Sequence, residues 1–226
     1  MSSQVMVAGL GMIPFAKPGA SEPYNVMAAR AVRAALADAG LDYTALQQAY
    51  AGYVYGDSTC GQRALYEVGM TGLPVVNVNN NCSTGSTALF LARQAVETGA
   101  VDCALAVGFE QMEAGALTTK YVDRPSPFDR FDEESAALVG MPDVALALRY
   151  FGGAGISHMK KYGTRLETFA RIRAKASRHA VHNPLALFRK EVSVDEVLAS
   201  PVLIPGVMTR LMACPPTCGA APAILV

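Results

Sequence analysis

The sequence predicts an α/β protein whose sheet is covered by helices on both faces. Three observations point there. Short apolar runs alternate with helical patterns through the first hundred residues, glycines close most of these segments, and 51% of the chain is hydrophobic. Regular alternation of this kind is the signature of βαβ units and a largely parallel sheet. Gln4–Gly9 is a short apolar run ended by Gly9 and Gly11, the pattern of a buried strand. Asn25–Ala39 places Val26, Ala29, Val32, Ala35 and Leu36 on one face and Arg30, Arg33 and Asp38 on the other. It is an amphipathic helix with Asn25 as its expected cap and Gly40 as its stop. Gln48–Val54 reads as a second strand, Arg63–Gly69 as a short helix, and Pro74–Asn79 as a third strand. Ser83–Thr98 is a helix ending at Gly99, and Val101–Val107 is a fourth strand ending at Gly108.

Beyond Gly108 the texture changes. Residues 109–140 are rich in charge, Pro and Gly and show no clean period, as expected of an excursion out of the sheet. Helices are expected at about Ala145–Tyr162 and Arg165–His182, the second broken by Asn183-Pro184. Its basic face (Arg171, Arg173, Lys175, Arg178) reads as a solvated surface rather than a phosphate site. Ser193–Ala199 is a short helix with Ser193 as cap and Glu196 in the capping-box position, and Ala220–Val226 is a closing apolar strand.

Charge and composition narrow the function classes. Nineteen basic and nineteen acidic residues cancel, so the basic footprint needed to hold nucleic acid is missing. No apolar run approaches the roughly 20 residues of a membrane span, and the N-terminus shows no secretory pattern, so a cytoplasmic or organelle-lumen protein is expected. Five cysteines at wide spacing do not form a disulfide framework. Cys214 and Cys218, four apart, lack the second pair or histidine cluster of a zinc site, and no bound metal is expected.

The chemistry is concentrated in Val75–Leu91, V-V-N-V-N-N-N-C-S-T-G-S-T-A-L-F-L. A buried strand runs into three asparagines, and Cys82 stands where strand becomes helix, followed by Ser83, Thr84, Gly85, Ser86 and Thr87. Amide groups at a helix start favour a thiolate and can hold the oxyanion formed when it attacks a thioester. Small neighbours admit a substrate, and Gly85 is expected to relieve crowding on the first turn. The same spacing also suits a structural cysteine buried at a strand–helix junction, and spacing does not separate the two.

The segment N-N-N-C-S-T-G-S-T-A, followed by A-R-Q-A-V-E-T-G-A-V-D-C-A-L-A-V-G-F-E-Q-M, resembles the nucleophile region of the thiolase superfamily, most of all the sterol carrier protein-type thiolases. The resemblance extends through Gly56-Asp57-Ser58 and Gly61–Tyr66 upstream and His158–Thr164 and Asn183-Pro184 downstream, covering nearly the whole chain. It implies the N-terminal half of a thiolase: a βαβαβαββ mixed sheet at 1–108 and 201–226, with an inserted loop domain at 109–200. It implies tight dimers with the strand before Cys82 at the interface, and Asn77–Asn81 lying there. It implies Cys82 as the nucleophile that takes an acyl group from a fatty or sterol-derived 3-ketoacyl-CoA and passes it to coenzyme A, a co-substrate rather than a tightly bound cofactor. His158 would lie near the CoA and acyl pocket, although a surface or helix-packing histidine is the plainer reading.

Family members take their acid, base and second oxyanion donor from a C-terminal half marked by Gly-His-Pro and Cys-x-Gly. Neither motif occurs in these 226 residues, and Cys218-Gly219 stands where the family usually has an aspartate before the glycine. Two expectations follow. Either the chain is half of a split or truncated thiolase, working as a homodimer or as a hetero-oligomer with a chain that supplies the C-terminal half, or it is a non-catalytic acyl-CoA or lipid-binding module or a subunit of a heteromeric acyl-CoA complex. Gly9-x-Gly11 after a strand lacks the third glycine and the acidic partner of a dinucleotide site.

Overall fold

The computed structural model describes residues 4–114 and 121–226, so the part of the 109–140 excursion at 115–120 lies outside the described residues. The chain divides into two compact units, one made of residues up to Ala114 together with Pro216–Val226, the other reaching from there to Pro215.

The first unit runs β1 (Val7–Leu10), α1 (Tyr24–Ala39), β2 (Gln48–Gly52), α2 (Cys60–Tyr66), β3 (Val75–Val78), α3 (Thr84–Glu97) and β4 (Ala104–Glu110), and β7 (Gly219–Leu225) closes it. The sheet order is β1-β7-β4-β2-β3. β2 pairs in parallel with β3 and β4, whereas β7 is antiparallel to both β1 and β4. The sheet is therefore mixed, with half its pairings antiparallel, because the last strand enters between β1 and β4 from outside the βαβ series. Side chains alternate between two apolar faces, as strand geometry requires. Ala49, Ala51, Leu105, Val107 and Ile224 join Val32, Leu36 and Leu65 in a core under α1 and α2. Tyr50, Ala104 and Ala106 pack with Ala88, Ala92 and Val96 under α3.

Close packing explains two glycines. A Cβ at Gly9 would sit 2.4 Å from the Ala35 carbonyl oxygen, and one at Gly11 would sit 2.2 Å from that of Ala31, both on α1. The Gly9-x-Gly11 pair thus lets a helix lie directly on a strand. The expected cap of α1 is corrected: Pro23 occupies the N-cap position, and Asn25 lies inside the helix, its amide donating to Glu67 at 2.9 Å. Proline suits the helix entry because it has no N–H to leave unpaired. Gly40, in the left-handed region at φ 64, ends the helix as expected. α2 begins at Cys60, three residues before the expected Arg63. Two groups outside the helix accept its first amides, the Tyr53 hydroxyl from Cys60 (3.2 Å) and Asn77 Oδ1 from Gly61 (3.0 Å). Long-range capping of that kind leaves no local sequence signal.

The second unit contains α4 (Asp129–Val139), α5 (Leu146–Tyr162), α6 (Leu166–Val181), α7 (Val194–Ala199) and a hairpin of β5 (Val202–Ile204) and β6 (Met208–Thr209). α4 lies in the stretch expected to be irregular. Its charged run D-R-F-D-E-E hides the helical period, and it is held by Tyr150 and Arg149 reaching Asp132. Gly152 and Gly155 on α5 leave room for Ile204 and Val207, whose side chains would meet added Cβ atoms at 2.5 and 2.6 Å. The capping box of α7 is present: Ser193 accepts from the Glu196 amide at 3.1 Å, and Glu196 accepts from the Ser193 amide at 2.7 Å. No helix among the described residues is long and apolar enough to cross a membrane.

Candidate functional site

β3 is the edge strand on the β2 side of the sheet, and its chain continues as Asn79-Asn80-Asn81-Cys82 before α3 begins. The turn is built from the inside. Thr84, the first residue of α3, is buried, and its hydroxyl accepts from the Asn80 amide (2.8 Å) and donates to the Asn81 carbonyl (2.5 Å). The Ser83 and Thr84 amides return to the Asn80 and Asn81 carbonyls at 3.2 and 3.0 Å. Asn80 donates its side-chain amide to Thr87. Asn81 takes φ 47, a left-handed conformation that asparagine tolerates better than most residues. The result is a tight reversal that projects Cys82, with an exposed thiol, one residue ahead of the helix N-cap Ser83. In this chain Cys82 is therefore exposed, where the same spacing would also have suited a buried cysteine. Cys60, Cys103 and Cys218 are the buried thiols, and Cys218 donates to the Met112 carbonyl.

The start of α3 carries no side-chain cap, because Ser83 turns its hydroxyl onto the Asn80 carbonyl instead. Gly52 at the end of β2 lies against Thr84, where an added Cβ would come within 2.8 Å of Thr84 Cγ2. Gly85 departs from expectation: a Cβ there would meet nothing within 4 Å. Crowding within the chain therefore does not require glycine, and open space lies beside the first turn.

Beside this turn, Tyr53 donates its amide to the Val78 carbonyl and its ring stacks on Phe109 at 5.1 Å, with Tyr24 on the other contact at 5.5 Å. Burial, reinforced by a hydrogen bond with Cys60, pushes the Tyr24 phenol up to about 12. Glu110, at the end of β4, turns its carboxylate onto the Val54 amide (3.0 Å) and the Tyr55 amide (2.9 Å). Burial raises its pKa, and the two amide bonds only partly offset that. The sequence marked Asn80 and Thr84 as neighbours of Cys82 but not as the braces of its turn, and it did not single out Glu110. The one available signal was polar residues directly beyond the ends of apolar strands.

His158 belongs to the second unit. It is exposed on α5, with its ring 4.7 Å from that of Tyr162 one turn on. The Asn77 side chain is committed within the chain, accepting from Gly61 and donating to Gln62. Among the described residues, no three His, Cys, Asp or Glu side chains gather as metal ligands.

The family described as "Thiolase, N-terminal domain" matches residues 5–196. The chain belongs to the thiolase family. It is 49% identical over 225 residues to sterol carrier protein 2 of Oryctolagus cuniculus, covering 98% of this chain and 41% of that protein. The thiolase-family chain thus spans about two fifths of the length of such curated relatives. Its fold matches that of the Ltp2-ChsH2(DUF35) aldolase with a TM-score of 0.76 at 19% identity, covering 98% of this chain and 55% of that one. Human mitochondrial 3-ketoacyl-CoA thiolase matches with a TM-score of 0.71 at 16% identity, over 98% and 64% of the two chains. The thiolase fold expected from the sequence is the fold of this protein.

Proposed function

We propose that this chain is the nucleophile-bearing half of a thiolase-type acyltransferase acting on fatty or sterol-derived 3-ketoacyl-CoA, with Cys82 as the attacking group. The observation that carries the reading is the exposed thiol held on a braced turn ahead of a helix without a side-chain cap. In the reaction, the Cys82 sulfur adds to the 3-keto carbon and the carbonyl pair moves to oxygen. Collapse breaks the C2–C3 bond, releasing C2 as the carbanion of a shorter acyl-CoA, which is then protonated. The acyl group left on sulfur passes to the thiol of a second coenzyme A, and Cys82 is restored. Amides at the start of α3 supply donors for the oxyanion.

The proton donor and acceptor lie outside these 226 residues, in which Gly-His-Pro and Cys-x-Gly do not occur. A C-terminal thiolase half, on a continuation of this polypeptide or on a different chain, completes the site. The exposed edge of β3, with Val76 40% accessible, is the face offered to a dimer partner. The second unit acts as the inserted loop domain, and His158 is its candidate contact to coenzyme A. Two names support acyl-CoA and assembly: the human thiolase was solved with CoA, and the aldolase pairs Ltp2 with a DUF35 protein. A non-catalytic lipid carrier is the second reading, favoured by the name of the sterol carrier relatives.

Incubation with acetyl-CoA followed by peptide mapping tests the proposal. Acetylation confined to Cys82, and selective alkylation of that thiol by iodoacetamide near neutral pH, support it. If Cys82 reacts no faster than the other exposed thiol, Cys214, the carrier reading replaces it.

A further inference from the structure

We infer that Glu110 is a positioning residue for Cys82, holding the β2–α2 segment that braces the nucleophile turn; the inference rests on the reading of Cys82 given above. Each carboxylate oxygen of Glu110 accepts one of two consecutive amides, Val54 and Tyr55, at 3.0 and 2.9 Å. A half-buried carboxylate is costly to keep unless its oxygens are bonded, so this arrangement favours one loop geometry. The loop in turn lies against the turn. One residue before Val54, the Tyr53 amide donates to the Val78 carbonyl at 3.3 Å, at the point where β3 leaves the sheet toward Asn79–Cys82. One residue earlier again, Gly52 abuts Thr84, which bonds both Asn80 and Asn81. Three links of hydrogen bonding and contact therefore run from Glu110 to the residues on either side of Cys82. The strand register supports the chain of contacts, since Gly108 on β4 pairs with Gly52 on β2, and Gly52 pairs with Val78 on β3.

Glutamine at this position keeps the shape but turns a donor toward one of the two amides, whereas aspartate keeps the charge and shortens the reach. Glu110→Gln and Glu110→Asp in the full chain are compared by amide exchange and by iodoacetamide labelling, with Cys214 of the other unit as an internal reference. For Glu110→Gln we expect exchange to quicken by roughly tenfold at Val54 and Tyr55 and by a smaller factor at Asn80–Thr84, the scale of one lost charge-assisted bond. The Cys82-to-Cys214 labelling ratio falls at least about threefold, with aspartate between the wild type and glutamine. A general loss of stability alone leaves that ratio unchanged. Should either variant fail to fold, native-state exchange of the wild type decides: the amides of 54–55 and 80–84 must open together as denaturant rises. Independent opening, or an unchanged ratio in a folded variant, overturns the inference. Equal labelling of Cys82 and Cys214 in the wild type overturns instead the reading of Cys82, while the exchange result still judges Glu110.

Discussion

Thr84→Val tests the turn that presents Cys82. Valine keeps both branches of the side chain, so the contact with Gly52 is preserved and only the hydroxyl is lost. Two hydrogen bonds go with it, the one accepted from the Asn80 amide at 2.8 Å and the one donated to the Asn81 carbonyl at 2.5 Å. Thr84 itself is 4% exposed, but Asn80 and Asn81 are exposed, so water can reach the freed backbone groups. The Asn81 carbonyl also keeps its bond from the Thr84 amide. The cost is therefore that of two net hydrogen bonds rather than of two orphaned buried groups, ~1–3 kcal/mol in all. Urea denaturation should show a lower midpoint at unchanged slope, and Cys82 labelling should fall relative to Cys214 because the turn is no longer held. A midpoint within error of the wild type, with the labelling ratio intact, would refute the view that this hydroxyl organises the turn.

Further outcomes follow from the same structure. Gly11→Ala drives a Cβ to 2.2 Å from a backbone oxygen of α1 and should cost at least about 2 kcal/mol in denaturant unfolding. Gly85→Ala meets nothing within 4 Å and should raise stability by ~0.5–1 kcal/mol, while slowing acetyl transfer to Cys82 if the substrate fills that space. Ser193→Ala removes one side of the capping box of α7 and should lower stability by ~1 kcal/mol, read as a lower midpoint in urea. Tyr24 and Tyr150 should ionise at about 12, two tyrosines of the nine, giving a late step in absorbance titration. The cause in both is burial, joined by bonds to Cys60 and to the Asp132 carboxylate. Because these pKa values are raised from 10.0, the stability they contribute is intact below pH 10 and is lost as pH rises through about 12. Full stability maintained to pH 12 would contradict that sign.

Much of this protein was legible as pattern. Short apolar runs over Gln48–Val54 and Val101–Val107 marked strands, because a strand buried on both faces needs apolar side chains at nearly every position. Ser193 and Glu196 marked a helix start, because both partners of a capping box lie within four residues. The string N-N-N-C-S-T-G-S marked a strand-to-helix turn and, by resemblance, the thiolase family. These are signals written in short segments, where the interacting groups are neighbours in the chain.

The tertiary structure decided what depends on distant partners. Asn25 is not a cap because the helix already starts at Tyr24, its side chain instead donating to Glu67, and α2 starts early because Tyr53 and Asn77 cap it from other elements. Closing strand β7 makes the sheet mixed because, after a separate unit in the chain order, it pairs antiparallel with both β1 and β4. The exposure of Cys82 likewise depends on Thr84, Gly52 and the left-handed Asn81 fitting together. Sequence alone determined which residue carries the sulfur and the kind of junction it occupies. Whether that sulfur faces solvent or core was settled only by packing, since burial is a property of what surrounds a residue and not of its neighbours along the chain.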